Sequence, residues 1–176
     1  EGADGHELRS QALLGEEGAD GLEHLFGFVG VVALDHVLLQ RGSVAVGTVE
    51  QARGFFQMAT VGMRDPNTLA PIRSKEDATI PSPAGDIPIR IYRPNVDGPV
   101  PTMVFFHGGG FVIGNIETHD DHGHNICHDV ECVVVSVDYR LAPEHPFPAG
   151  FEDCLAATKW ASGNIASLGG DPDKLM

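Results

Sequence analysis

Positive charge is scarce in this sequence. Eleven Lys and Arg stand against 25 Asp and Glu, a formal net charge of −14 over 176 residues. A surface of that sign repels phosphate backbones and anionic headgroups, which excludes nucleic acid as an expected partner. Cysteine is scarce too. Cys127, Cys132 and Cys154 form no CxxC pair, and two of them sit in apolar runs. An odd count without metal or disulfide spacing reads as reduced structural thiols in a cytoplasmic protein. Long apolar runs are missing. The longest, residues 25–40, contains Asp35 and His36. A central Asp costs about 2.5–3.5 kcal/mol on insertion scales, so no stable membrane insertion is expected. That stretch also lacks the basic start and small-residue cleavage site of a secretory signal.

What is present suffices for one domain. The hydrophobic fraction, 42%, can build a core. Residues 1–46 are acidic and dotted with glycine, and 20–40 could hold one or two helices. From residue 47 the pattern becomes orderly. Thr48-Val49-Glu50-Gln51 matches a capping box. Ala52, Phe55, Phe56, Ala59 and Met63 then recur at helical spacing. Such a face packs on a core; alternatively it belongs to a mobile cap whose Phe and Met line an acyl pocket. Residues 77–82 and 87–92 read as strands joined by the turn 83–86, and 102–106 as a third, buried strand. A helix is expected over 115–130, weakened by Gly123, and a buried strand over 131–138. Strand, helix, strand in that order implies a parallel βαβ crossover. Residues 139–148 carry three prolines and form a rigid loop. Phe151, Cys154, Leu155, Thr158 and Ala161 make a helical stripe with Trp160 beside it, and 169–172 is a turn.

The third strand runs into His107, Gly108, Gly109 and Gly110. Successive glycines allow positive φ and let a substrate approach the backbone, because no Cβ intervenes. Bare N–H groups at a strand's C-terminal end can bind a developing negative charge, as an oxyanion hole does. A phosphate loop would need Lys and Ser or Thr after Gly114, but Asn115 and Ile116 follow. A dinucleotide fingerprint would need a third glycine where Ile113 stands. A merely flexible glycine loop remains an equal alternative at this point.

Four of nine histidines (His119, His122, His124 and His128) crowd the next helix. His124 and His128 stand one turn apart, a spacing able to chelate a metal. A solvated helix face explains them as well, and no H-E-x-x-H pattern occurs. Neither a metal nor a cofactor is expected.

Several separately spaced motifs carry a resemblance. His107-Gly108-Gly109-Gly110-Phe111 comes first, then 137–144 (V-D-Y-R-L-A-P-E), Phe147-Pro148-Ala149, Asp153, Trp160 and Gly170-Asp171-Pro172. In that order, from about residue 48 to 175, the chain resembles hormone-sensitive-lipase-like esterases of the α/β-hydrolase superfamily. The resemblance implies part of an α/β-hydrolase fold: a mixed sheet whose first strands are antiparallel, a parallel βαβ unit, and an N-terminal cap helix within 47–70. It implies a serine carboxylesterase acting on small esters of short to medium acyl chains. Gly108 and Gly109 would supply oxyanion-hole N–H groups, with Gly110 supporting the turn. His107 would shape the loop. Asp138, Tyr139, Arg140 and Glu144 would brace the active-site floor, Arg140 through a nearby carboxylate. Phe55, Phe56 and Phe111 would line the substrate pocket.

In that family the nucleophile sits in a G-D-S-A-G elbow, with the acid and histidine after it. None of the seven serines here (Ser10, Ser43, Ser74, Ser82, Ser136, Ser162, Ser167) lies in G-x-S-x-G. The expectation is therefore a truncated esterase, inactive alone, whose full-length form can be a homo-oligomer. The alternatives are a non-catalytic binding protein on the same scaffold, as in plant hormone receptors, or a gene fragment. Truncation should also leave one edge of the 102–106 strand open and apolar, so the isolated chain should be unstable or self-associate.

Overall fold

The computed structural model describes residues 47–176. The readings made for 1–46 lie outside them. The chain runs through helix α1 (Val49–Gln57), a π turn (Met58–Gly62) and a 3₁₀ turn (Pro66–Thr68). Then come β1 (Ser74–Ile80), β2 (Ile87–Arg93), β3 (Val100–Phe106), α2 (Asp120–Val130), β4 (Val133–Val137), α3 (Ala149–Leu168) and β5 (Gly170–Leu175).

The five strands form one sheet in the order β1-β2-β4-β3-β5. β1 and β2 pair antiparallel, as do β2 and β4. β3 pairs parallel with β4, Thr102 opposite Val133 through Phe106 opposite Val137, so the expected βαβ unit forms around α2. All five residues of β4 are buried. That burial follows from its place at the sheet's centre with a helix on each face, where alternation is unnecessary. Val133, Val135 and Val137 join Ile87, Ile89 and Ile91 in one core layer, against which α3 packs with Ala157 and Leu168. Val134 and Tyr92 face the other way, onto Cys127 and Cys132. Each fully buried Val contributes about 1.5–3 kcal/mol relative to exposure.

One carboxylate pins α2 to the strands. Asp120, 3% exposed, accepts from Arg90 Nη1 at 2.9 Å, the Tyr92 hydroxyl at 2.9 Å and Lys75 Nζ at 2.9 Å. Burial pushes its pKa up, but the Lys75, Tyr92 and Arg90 donors outweigh that and hold it below the ordinary carboxylate range.

Several expectations need correction. α2 starts at Asp120, not at 115. Thr118 N–H donates to Asn115 Oδ1 and Asn115 N–H to Thr118 Oγ1, both at 2.8 Å, a local alternative to helix. The stripe read along α3 is also displaced. Its buried positions are Gly150, Asp153, Ala157, Ala161, Ile165 and Leu168, while Phe151 and Leu155 are exposed by 55% and 41%. The true face begins with a glycine and a carboxylate, which apolar counting passes over. No residue of α1 is buried, so it does not pack as a core helix, although its capping box forms as read.

Of the turn read at 169–172, Gly169 ends α3 in the left-handed conformation, while 170–172 belong instead to β5, which pairs parallel with β3, Val100 opposite Gly170 and Thr102 opposite Leu175. β3 therefore has a neighbour on each side from Thr102 to Val104, where an open edge was expected. Among the described residues β5 lies at the edge of the sheet, where a proline such as Pro172 is tolerated. Among the described residues no helix is long and apolar enough to cross a membrane.

Candidate active site

The glycine loop leaves the sheet at the C-terminal end of β3, the side on which parallel α/β sheets place ligands. Gly109 has φ 125°, Gly110 62° and Phe111 61°. Gly109 accepts two N–H bonds, from Val112 at 3.1 Å and Ile113 at 3.0 Å, closing a tight turn. A Cβ on Gly109 would lie 2.0 Å from the Ile113 carbonyl oxygen. No other residue type fits there. Among the described residues no backbone or side-chain acceptor takes the N–H groups of Gly108, Gly109 or Gly110. Three successive donors thus stand unspent in a loop of fixed shape.

His107 supports that shape from beneath. Its ring nitrogen Nδ1 lies 2.9 Å from the Gly108 carbonyl, which can only accept, so Nδ1 carries the proton. Its ring stacks on Tyr139 with centroids 4.3 Å apart and 11° between planes, and the Tyr139 hydroxyl donates to the His107 carbonyl at 2.6 Å. Burial lowers the His107 pKa, favouring the neutral ring. Phe111 sits in the left-handed region, costly for a side chain. Ala142 N–H holds its carbonyl at 2.8 Å.

The segment after β4 is braced by two arginines. Arg140 forms a bidentate pair with Asp153, Nε to Oδ2 and Nη2 to Oδ1 at 2.8 Å each, and its own N–H donates to Oδ2 at 3.0 Å. Asp153, with its side chain 3% exposed, is the carboxylate that the resemblance implied for Arg140. Glu144 pairs with Arg53 of α1 at 2.8 Å through both carboxylate oxygens, and Arg53 holds its pKa down to about 2. Burial raises the pKa of Asp138, with the Ile116 backbone opposing that rise.

A cleft of about 620 Å³ opens between α1 and these loops, lined by Arg53, Gln57, Asn115, Asp138, Arg140 and His145 among others. Gly108, Gly109 and Gly110 do not line it. Phe55 and Phe111 are 59% and 56% exposed. Phe56 tilts against His119, centroids 5.7 Å apart. The structure brings His107, Tyr139, Phe111 and the glycines together; Phe55, Phe56 and Phe111 do not line this cleft. His124 Nδ1 lies 3.1 Å from the Ala70 carbonyl, and His128 Nδ1 2.8 Å from Asp129. Among the described residues no cluster of three His, Cys, Asp or Glu is placed to hold a metal.

Comparison with known proteins agrees with this geometry. Residues 103–176 match the family model described as alpha/beta hydrolase fold. The described residues carry part of an α/β-hydrolase fold, and the chain is similar to hormone-sensitive-lipase-like esterases of that superfamily. It is 53% identical over 85 residues to the carboxylic ester hydrolase LipN of Mycobacterium tuberculosis, covering 48% of this chain and 23% of that protein. It is 43% identical over 111 residues to the carboxylesterase NlhH of the same organism, covering 62% of this chain and 35% of the relative. Among solved structures, an esterase of Pyrobaculum calidifontis superposes with a TM-score of 0.69 at 41% identity, covering 82% of this chain and 46% of the other. The chain thus spans a quarter to a third of these curated relatives, and under half of the solved hydrolase.

Arg53 is the participant that sequence reasoning missed. Its partners lie 59, 89 and 91 residues away, and no local pattern marks it.

Proposed function

We propose that the protein is a serine carboxylester hydrolase for small esters of short to medium acyl chains. The observation that carries this reading is the run of unspent N–H groups at Gly108, Gly109 and Gly110, held at the end of β3. The carboxylesterase relatives support it. In the reaction a serine attacks the ester carbonyl, a histidine takes the serine's proton, and the carbonyl oxygen becomes an oxyanion. Gly108 and Gly109 donate to that oxygen, while Gly110 completes the turn. His107, kept neutral and stacked on Tyr139, shapes the loop and takes no proton. Removing one oxyanion donor costs about 10²–10³ in kcat in comparable sites.

In this reading residues 47–176 are part of the hydrolase domain, with 47–70 its cap region. Phe55, Phe56 and Phe111 contact the acyl chain. A cytoplasmic location is part of the reading, supported by three free cysteines whose thiols burial pushes up to about 12, 11 and 12. The 176-residue chain supplies the oxyanion-hole half and does not turn over ester by itself. Hydrolysis of p-nitrophenyl butyrate by the purified chain, above a Gly109→Pro control, would contradict that inactivity. Reading the coding sequence past Met176 tests the enzyme itself: a G-D-S-A-G-like elbow supports the hydrolase, whereas a stop codon favours a ligand-binding protein or gene fragment.

A further inference from the structure

Arg53 makes four hydrogen bonds from one guanidinium. Nε donates to the Val112 carbonyl at 2.8 Å and Nη2 to the Ala142 carbonyl at 2.9 Å. Nη1 and Nη2 donate to the two Glu144 oxygens, each at 2.8 Å. These acceptors lie on two different loops. Val112 belongs to the glycine loop, and its N–H is one of the two that close the turn on Gly109. Ala142 and Glu144 belong to the loop after β4, and Ala142 N–H in turn holds the Phe111 carbonyl. One residue on α1 therefore ties together both limbs that shape the donors. The arrangement needs the planar five-donor fork; an ammonium cannot reach three separate acceptors in those directions.

We propose that Arg53 is the positioning residue of the glycine loop, coupling helix α1 to the geometry of the Gly108–Gly110 N–H groups. The catalytic side of this rests on the oxyanion-hole reading above; the coupling itself does not. Among the described residues α1 buries no side chain, and its further contacts include Gln57 with Asn115 at 3.4 Å and Phe56 against His119, so Arg53 carries much of its attachment. Whatever lifts α1 also releases the Val112 carbonyl and loosens the turn on Gly109.

The test is amide hydrogen exchange, resolved by residue with NMR, on the 176-residue chain and on Arg53→Ala, Arg53→Lys and Glu144→Gln. Local opening is read directly by such exchange, and Arg53→Ala should accelerate it about ten-fold or more at Val112 and Ile113. Amides of β4 should keep their wild-type rates. Arg53→Lys should not restore protection, and Glu144→Gln, which leaves both carbonyl contacts in place, should give a smaller acceleration. Unchanged rates at Val112 and Ile113 in Arg53→Ala would overturn the proposal. So would an equal acceleration throughout β4, because Arg53 would then stabilise the whole domain. A butyrate titration watching the Gly108 and Gly109 amides separates the two readings. Wild-type shifts that weaken several-fold in Arg53→Ala support both. No shift in wild type removes the oxyanion reading and leaves the coupling to the exchange rates.

Discussion

Single residues decide the shape of the glycine loop. Gly109 combines a φ of 125° with a backbone oxygen 2.0 Å from where a Cβ would stand. Gly109→Ala should therefore destabilise the chain by about 2–3 kcal/mol, since neither the strain nor the backbone clash can be relieved by a side chain moving. Chemical denaturation checks this, with Gly110→Ala as the comparison, where no atom lies within 4 Å. Glu144 gives a pH signature. Its folded pKa, about 2, lies below its ordinary value of 4.5, with the Arg53 hydrogen bonds as the main cause. A depressed carboxylate contributes stability above its unfolded pKa and loses that contribution as pH falls through the folded one. The difference in melting temperature between wild type and Glu144→Gln should thus be full at pH 6. It should shrink between pH 4.5 and about 2.

At the scale of elements, packing overrides local preference. Gly123 lies inside α2, where Ala is better by about 1 kcal/mol. A Cβ there would sit 2.4 Å from the Tyr92 ring, which is fully buried beside Asp120 and cannot retreat. Gly123→Ala should consequently destabilise, by about 1–3 kcal/mol, rather than stabilise. A shift of the denaturation midpoint to higher denaturant would contradict this. α3 is held to the loop before it by Arg140 and Asp153. Removing the arginine strands a carboxylate that is 3% exposed. Arg140→Ala should cost about 3 kcal/mol, and an Arg140→Ala/Asp153→Leu double variant should recover part of it.

For the whole molecule, the balance lies between exposed apolar surface and acidic charge. Phe147 is 87% exposed, Phe151 55% and Leu155 41%, and the two phenylalanine rings touch with centroids 6.5 Å apart. We therefore expect self-association of this chain to come from that patch, which spans the start of α3 and the loop before it, rather than from the edge of β3 along which β5 pairs. A net charge of −14 opposes association at low salt. Salt screens that repulsion over about 10 Å at 0.1 M. Light scattering should show larger species growing with ionic strength, and Phe151→Glu should suppress them. A wild-type chain that stays monodisperse at high salt would argue against the patch.

The sequence by itself determined the parts whose cause is local or runs along one element. Thr48 and Gln51 specify the start of α1 within four residues. The V-V-V-S-V run specifies a strand buried on both faces. The three glycines after β3 specify a loop that no side chain obstructs, and the spaced motifs around them carry the resemblance to the α/β-hydrolases. Tertiary structure decided the rest, because its causes are contacts between distant positions. β5 has the composition of a turn and becomes a strand only because β3 offers it a free ladder. The buried face of α3 passes through Asp153, which is apolar to no scale and is buried only because Arg140 meets it. Arg53 looks like any exposed helical arginine until the fold brings two loops under its guanidinium. Local chemistry shows in a chain read one residue after another; an acceptor 91 residues away does not.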